Sequence, residues 1–546
     1  MPVRQPRRFV VVVALASLDA AAAQAQLAPP RQPLGNPVTP EKAVLGKILF
    51  WEEQLSSDDT MACGTCHRPR QGGADPRFEQ TAGPDGLLDT GDDVYGSPGV
   101  IGSDSTGHYL PSAAFGLAPQ VTGRLAPSFI TGSYFTLNFW DGRASTTFTD
   151  PQTGVKLLPY GAALESQLVN PPLSQVEMAD PARTWNDVAT KLSAVRPLAL
   201  ASNVPEAMAA AIANHPSYGD LFTWVFGDSS ITSARVAFAI ASYERSLVPD
   251  QTPWDRFTAG DQGTLDDRHQ SGLALFMGRG RCSLCHLPPL FADDKFHAIG
   301  VRPPRDDMGL QKTTGVYGDR GKFKTPSLRD AKARGRFMHD GRFGDLNQVL
   351  EFYERGGDFN DNKDVLMAPL ILTPIEKSQI IAFIEDSLTD PRVVAETFPF
   401  DRPTLHSEAA ANPSYYGDSS AGSGGFVPRM INVTPPLLGS ASFRIGVGDG
   451  LGGAAAVLAI APAAAPPGTY WNGIPIDVSV NPPPMLINAA LSGSGAGGGY
   501  ATAVLQLPKN PAFAGQDWFA QWFVVDPAAA GGVAASGGSR FQFIGR

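Results

Sequence analysis

With 546 residues the chain exceeds one ordinary hydrophobic core and, at about 100–200 residues per domain, points to about three domains. Its 43 Lys and Arg stand against 53 Asp and Glu, a formal charge of −10. No stretch combines basic and aromatic residues as a nucleic-acid surface requires, so nucleic acid is not expected as a partner.

The N-terminus places Arg4, Arg7 and Arg8 before an apolar run from Phe9 to Ala16, followed by the small-residue site Ala23-Gln24-Ala25. This order predicts a signal peptide over residues 1–25 and a periplasmic or extracellular protein. No later segment approaches the ~20 continuous apolar residues of a spanning helix, so no membrane span is expected after cleavage.

Thr39-Pro40 supplies an N-cap and a first-position proline for a short amphipathic helix through Leu45-Gly46-Lys47-Ile48-Leu49-Phe50. Just beyond it comes Cys63-Gly64-Thr65-Cys66-His67, and Cys282-Ser283-Leu284-Cys285-His286 repeats the pattern. Cys-x-x-Cys-His is the attachment signature of haem c: two thiols bond to the porphyrin and the adjacent His becomes an iron ligand. The two runs consume all four cysteines behind an export signal, which favours two covalent haems over a four-Cys zinc site or paired disulfides.

The second motif is also preceded by a helix, Gly272-Leu273-Ala274-Leu275-Phe276, for which Thr264 and Asp267 resemble a capping box. Residues 345–357 predict a helix capped by Asp345 and ended by Gly356-Gly357, with Leu346, Val349, Leu350 and Tyr353 on one inward face. Thr373, Pro374 and Glu376 open another helix, whose Ile380, Ile381, Ile384 and Leu388 would pack the second haem module. Residues 405–546 are poor in charge and rich in Gly, Ala and Pro, with alternating runs such as Tyr500–Leu507 and Trp518–Val525 that suggest a β-sandwich. The expected fold is therefore mainly α: haem domains of the cytochrome c type over 26–250 and 251–400, then an all-β extension over 405–546.

Together with Leu45–Phe50 and Leu55-Ser56, the segments Phe139–Ala144, Glu177-Met178, Phe323–Arg329 and Met338–Phe343 resemble the di-haem cytochrome c peroxidases, the family that includes MauG, over roughly residues 40–395. The resemblance implies that Gln167, Pro171 and Glu177, at the family's intervals, line the peroxide side of the first haem. Glu177 would shuttle the proton between peroxide oxygens, and Gln167 would orient it. Trp140 matches a tryptophan between the haems that relays electrons or holes.

Fourteen residues after His339, where the ordinary peroxidases place a Met ligand to the second haem, stands Tyr353, as in the MauG branch. A phenolate there would lower the second haem's potential, with Met338 as an alternative ligand and a core aromatic as the plain reading of Tyr353. The family's removable His on the first haem is replaced by Gly83, and no His lies between His67 and His108. The first iron is thus expected to be open, unless His108 folds back. His339 is expected to hydrogen-bond at the second haem or between the domains, and His297 to be structural.

Calcium is doubtful, because the family's inter-haem positions fall on Thr131, Arg334 and Arg336. Residues 76–112 and the long stretch between Trp140 and Gln167 read as insertions at the first haem's rim, and Asp85–Asp93 as a solvated acidic turn rather than a calcium loop. The expected activity is that of an exported peroxidase reducing H2O2 at the first haem with electrons from the second. Its partner would be a small redox protein, a cytochrome c or cupredoxin, or else a protein substrate. The alternatives are a di-haem electron carrier without peroxide turnover and a secreted di-haem oxygenase.

Overall fold

The computed structural model describes residues 27–545; the leader expected over 1–25 lies outside them. Helix α1 (Pro40–Phe50) begins where Thr39 accepts the Lys42 amide and Pro40 takes the first turn. Short helices α2 (Ala163–Leu168), α3 (Trp185–Ala194), α4 (Glu206–Asn214) and α5 (Tyr218–Phe226) follow, and α6 (Ser233–Ser246) lies across α1. The crossing is close because Gly46 has no side chain: a Cβ there would sit 1.9 Å from the Ala239 carbonyl oxygen. Leu45, Ile48, Phe50 and Trp51 thereby bury against Leu221, Ile240 and Tyr243 in one core.

The second module repeats this with fewer parts. After α7 (Pro253–Thr258), helix α8 (Asp267–Met277) crosses α10 (Pro374–Ala382), and α9 (Leu346–Glu354) packs beside them. Gly272 makes the crossing, its absent Cβ 2.1 Å from the Gln379 carbonyl oxygen. The expected caps of α9 and α10 are present at Asp345 and Thr373. That of α8 is not: Asp266, rather than Thr264, accepts the amides of Arg268 and His269. Thr264 instead ends a 3-10 turn and donates its hydroxyl to the Asp261 and Pro253 carbonyls, since a carboxylate two residues nearer the helix outcompetes it for the free N–H groups.

Strands dominate after residue 413. They are β1 (Ser414–Tyr416), β2 (Arg429–Ile431), β3 (Phe443–Gly450), β4 (Ala455–Ala461), β5 (Met485–Ala490), β6 (Gly499–Leu505), β7 (Asp517–Val525), β8 (Val533–Ala535) and β9 (Gly538–Gln542). One antiparallel sheet runs β2-β3-β6, the other β5-β4-β7-β9-β1 with β8 beside β7. Phe443, Ile445 and Val447 of the first sheet share a core with Leu458, Ile460, Trp522 and Phe541 of the second. Helices thus form the scaffolds of the two modules, but turns and short hairpins fill most of 51–162 and 278–345, so mainly α describes the scaffolds and not the chain. Among the described residues no helix is long and apolar enough to cross a membrane.

Candidate active site

All four cysteines are free thiols, as haem attachment requires. In the first motif, Cys63–Cys66 form one helical turn directly after the core residue Ala62. His67 Nδ1 donates to the Gly73 carbonyl at 3.2 Å, and in the second motif His286 Nδ1 donates to Phe291 at 2.9 Å. Each bond fixes the tautomer that leaves Nε2 with a lone pair for iron. Burial lowers the pKa of both imidazoles, which keeps that lone pair free of a proton.

Around the first motif the groups are charged. Glu177 lies within electrostatic reach of Cys63, Cys66 and His67 alike. It sits in a turn whose Glu177, Met178 and Ala179 amides all bond to the Ser174 carbonyl. Pro171 opens the 3-10 turn Pro171–Leu173 just before it, and Gln167 lies near the end of α2, anchored by Leu164 and Leu168 in the core. The three predicted residues therefore share one short segment, 163–179. Asp75 and Arg77 were not foreseen: Arg77 bonds Asp75 and approaches Cys66 Sγ at 3.4 Å. His108 sits exposed on a hairpin, its Nδ1 2.8 Å from the Thr106 hydroxyl.

Around the second motif the groups are mostly apolar. A cavity of about 180 Å³ is lined by Cys282, Cys285 and His286, by Val349, Leu350 and Ile384, and by Tyr353 and Met338. Tyr353 reaches it from the inward face of α9; burial, with the nearby Cys285 and Cys282, pushes its phenol above the usual range. The donor set and apolar lining fit a covalently held haem. His297 bridges Asp364 (2.6 Å) and Asp293 (3.0 Å) and lies within 4.8 Å of the Cys285 sulfur of the second motif.

Trp140 lines the same cavity although it belongs to the first module. Its indole N–H donates to Leu125 O at 2.8 Å, its ring meets His339 edge-on at 6.4 Å, and its carbonyl accepts the Lys324 amide at 2.9 Å. His339 stacks on Phe323 at 3.6 Å, and burial holds its pKa down at about 3, so it is neutral. Lys324, also unforeseen, is buried, donates to Asn138 Oδ1 at 3.1 Å, and has its pKa pushed down to about 7 by desolvation. Its place in Phe323-Lys324-Thr325-Pro326 was visible, but nothing local says that a lysine will be buried.

Thr131, Arg334 and Arg336 are all part of the inter-module region. Arg334 is buried within reach of His67, its pKa lowered to about 10 by desolvation, and Arg336 stacks on Tyr95 at 3.3 Å. Cationic groups so placed would repel a calcium ion. In the acidic turn, Asp92 and Asp93 accept bonds from Asp85, Thr90, Gln80 and Gly83, which ties up the carboxylates locally.

A family model described as di-haem cytochrome c peroxidase matches residues 40–263. The methylamine utilization protein MauG of Methylorubrum extorquens is 30% identical over 69% of this chain and 87% of its own. The cytochrome-c peroxidase IdrP1 of Pseudomonas sp. strain SCT is 29% identical over 75% of this chain and 98% of its own. The solved diheme peroxidase BthA from Burkholderia thailandensis is 23% identical, covering 68% of this chain and 91% of that one with a TM-score of 0.45.

Proposed function

The chain belongs to the di-haem cytochrome c peroxidase family, and from that membership we propose an exported peroxidase that reduces H2O2 at the first haem and draws electrons through the second. The observation that carries this division of labour is the reach of Glu177 to Cys63, Cys66 and His67, against the apolar, Tyr353-containing cavity at Cys282, Cys285 and His286. Haem c held at the two motifs supplies a peroxide-binding iron in the first module and an electron store in the second.

Acid–base chemistry falls to Glu177. Its carboxylate takes a proton from one peroxide oxygen and hands it to the other, so that the O–O bond breaks and water leaves; two electrons and two protons complete the reduction to two waters. Gln167, from the end of α2, orients that carboxylate, and Pro171 stiffens the turn between them. Trp140 is the relay: an indole held by Leu125 and stitched to Lys324 keeps a fixed position between the modules.

Tyr353 favours a MauG-like variant that would act on a protein substrate, with Cys282, Cys285 and His286 holding the haem that would supply the oxidising power. Its phenolate would be the sixth ligand, a hard anionic donor that stabilises the oxidised metal. A small cytochrome c or cupredoxin serves as donor in the simpler case.

The decisive experiment adds one equivalent of H2O2 to the purified diferric protein while spectra are recorded. The expected result is a rapid spectral change in wild type that slows by about 10²–10⁴-fold in Glu177→Gln. No change in wild type, as in the variant, overturns the peroxidase reading and leaves an electron carrier.

A further inference from the structure

The C-terminal β domain touches the turn that carries Glu177. Asp180, three residues beyond Glu177, accepts a bond from Ser103 Oγ at 2.6 Å and bonds from both terminal nitrogens of Arg444 on β3, the first of them at 3.1 Å. Arg444 is only 2% exposed. Asp180 is the carboxylate with which it forms its ion pair. A two-pronged charged contact of this kind, shielded from water, fixes direction as well as distance.

The path by which Arg444 reaches Asp180 is built for it. It passes Gly107, whose φ is +86° and whose absent Cβ would lie 2.9 Å from the guanidinium carbon. The neighbouring Tyr109 amide donates to the Thr502 hydroxyl of β6 at 2.9 Å, and Ile101, Tyr109 and Leu117 share a small core with Ile431 of β2. The hairpin between Pro98 and Val121 is thus clamped to the β domain. Its inner strand presses on the catalytic turn: a Cβ on Gly99 would sit 1.9 Å from the Val176 carbonyl oxygen and 2.8 Å from the Glu177 Cα.

We propose that the β domain is a positioning element of the first haem site, with Arg444 acting through Asp180 to hold the turn 174–180 and so aim Glu177. This rests on the reading of Glu177 as the proton shuttle. Arg444 is a positioning residue; it touches neither peroxide nor haem ligand. The hairpin at 98–121, which begins inside the insertion read at 76–112, is then the second wall of the same mount.

The test uses full-length holoprotein carrying Arg444→Met, Arg444→Lys, Glu177→Gln and the double variant Arg444→Met/Glu177→Gln. For Arg444→Met the expected result is a fall of at least about tenfold in kcat/KM for H2O2, the size of effect that misplacing a reacting group produces, with KM for the reducing protein unchanged. Amide exchange at Glu177, Met178 and Ala179 should quicken while exchange in α8 and α10 does not. Arg444→Lys should recover part of the activity, and Arg444→Met should cost nothing further in the Glu177→Gln background, which a general loss of stability would not produce.

Should Arg444→Met fail to yield soluble holoprotein, Asp180→Asn carries the same expectations. Wild-type turnover and exchange in Arg444→Met, beside a slow Glu177→Gln, overturns the positioning role alone. Wild-type turnover in Glu177→Gln overturns the underlying assignment of the proton shuttle instead.

Discussion

In both haem modules a helix leads to a Cys-x-x-Cys-His motif and crosses a later helix at a glycine, Gly46 against Ala239 and Gly272 against Gln379. In both, a phenylalanine four residues on, Phe50 or Phe276, is buried beneath the crossing. The modules part company outside this scaffold. The first is wrapped by the segment 163–179, which carries Glu177, by hairpins from 79–121 and by the β domain, while Asp75 and Arg77 come from the loop that directly follows its motif. The second keeps a cavity with a largely apolar wall, on which Tyr353 stands among the polar residues. A repeated scaffold thus places the two Cys-x-x-Cys-His motifs, while unrepeated chain sets what surrounds each.

The strongest way to break that comparison is to remove one attachment at a time. Cys63→Ala/Cys66→Ala and Cys282→Ala/Cys285→Ala should each halve the covalent haem measured by pyridine haemochrome, and each should abolish steady-state H2O2 turnover. They should differ in a single-turnover experiment: the spectral response to one equivalent of H2O2 is lost in the first variant and kept in the second. A response kept in the first and lost in the second would reverse the assignment of the two modules.

A smaller effect is expected at Tyr353. Tyr353→Phe keeps the ring against Phe352 and Val349 but removes the only oxygen it offers. On the proposed ligand role of Tyr353, the second haem's potential should rise by on the order of 100 mV, part of the ~0.8 V range that axial ligands span. The first haem should keep its spectrum. An unchanged potential would make Tyr353 a core aromatic and move attention to Met338, which lines the same cavity.

How much of this was legible in the chain follows the same divide. The attachment residues, the caps at Thr39, Asp345 and Thr373 and the inward face of α9 could be read because each depends on neighbours within a few residues. The cap of α8 was misplaced by two residues because Thr264 and Asp266 are both good caps and only the packed loop chooses between them. The roles proposed for Glu177, Gln167, Trp140 and Tyr353 come from the resemblance, because no local pattern marks them. Lys324 in the inter-module region and the pairing of Asp180 with Arg444, 264 residues apart, were not legible at all, because burial and long-range pairing leave no trace in local spacing.

The smallest expected effect separates the modules by pH. Glu53, just past α1, is 2% exposed and accepts the His406 and Ser407 amides at the entrance to the β domain. Desolvation raises its pKa from 4.5 to about 7 despite those bonds. The folded state therefore holds this proton more tightly than the unfolded chain: the contribution is fully present below pH 4.5 and is lost as pH rises through about 7. Its size is on the order of 3 kcal/mol at ~1.4 kcal/mol per pKa unit. In the second module the turn after α8, Met277 to Arg279, is exposed, and the buried carboxylate raised to about 7 is instead Asp330, which accepts the Asp390 amide, so Glu53→Gln should remove only the first module's share of the slope. Thermal unfolding followed between pH 4.5 and 7 should show the stability of the first module falling with pH, and Glu53→Gln should flatten that slope whatever it does to absolute stability. An equal slope in the variant would place the pH dependence elsewhere, with Glu244, also buried and raised to about 8, as the next carboxylate to replace.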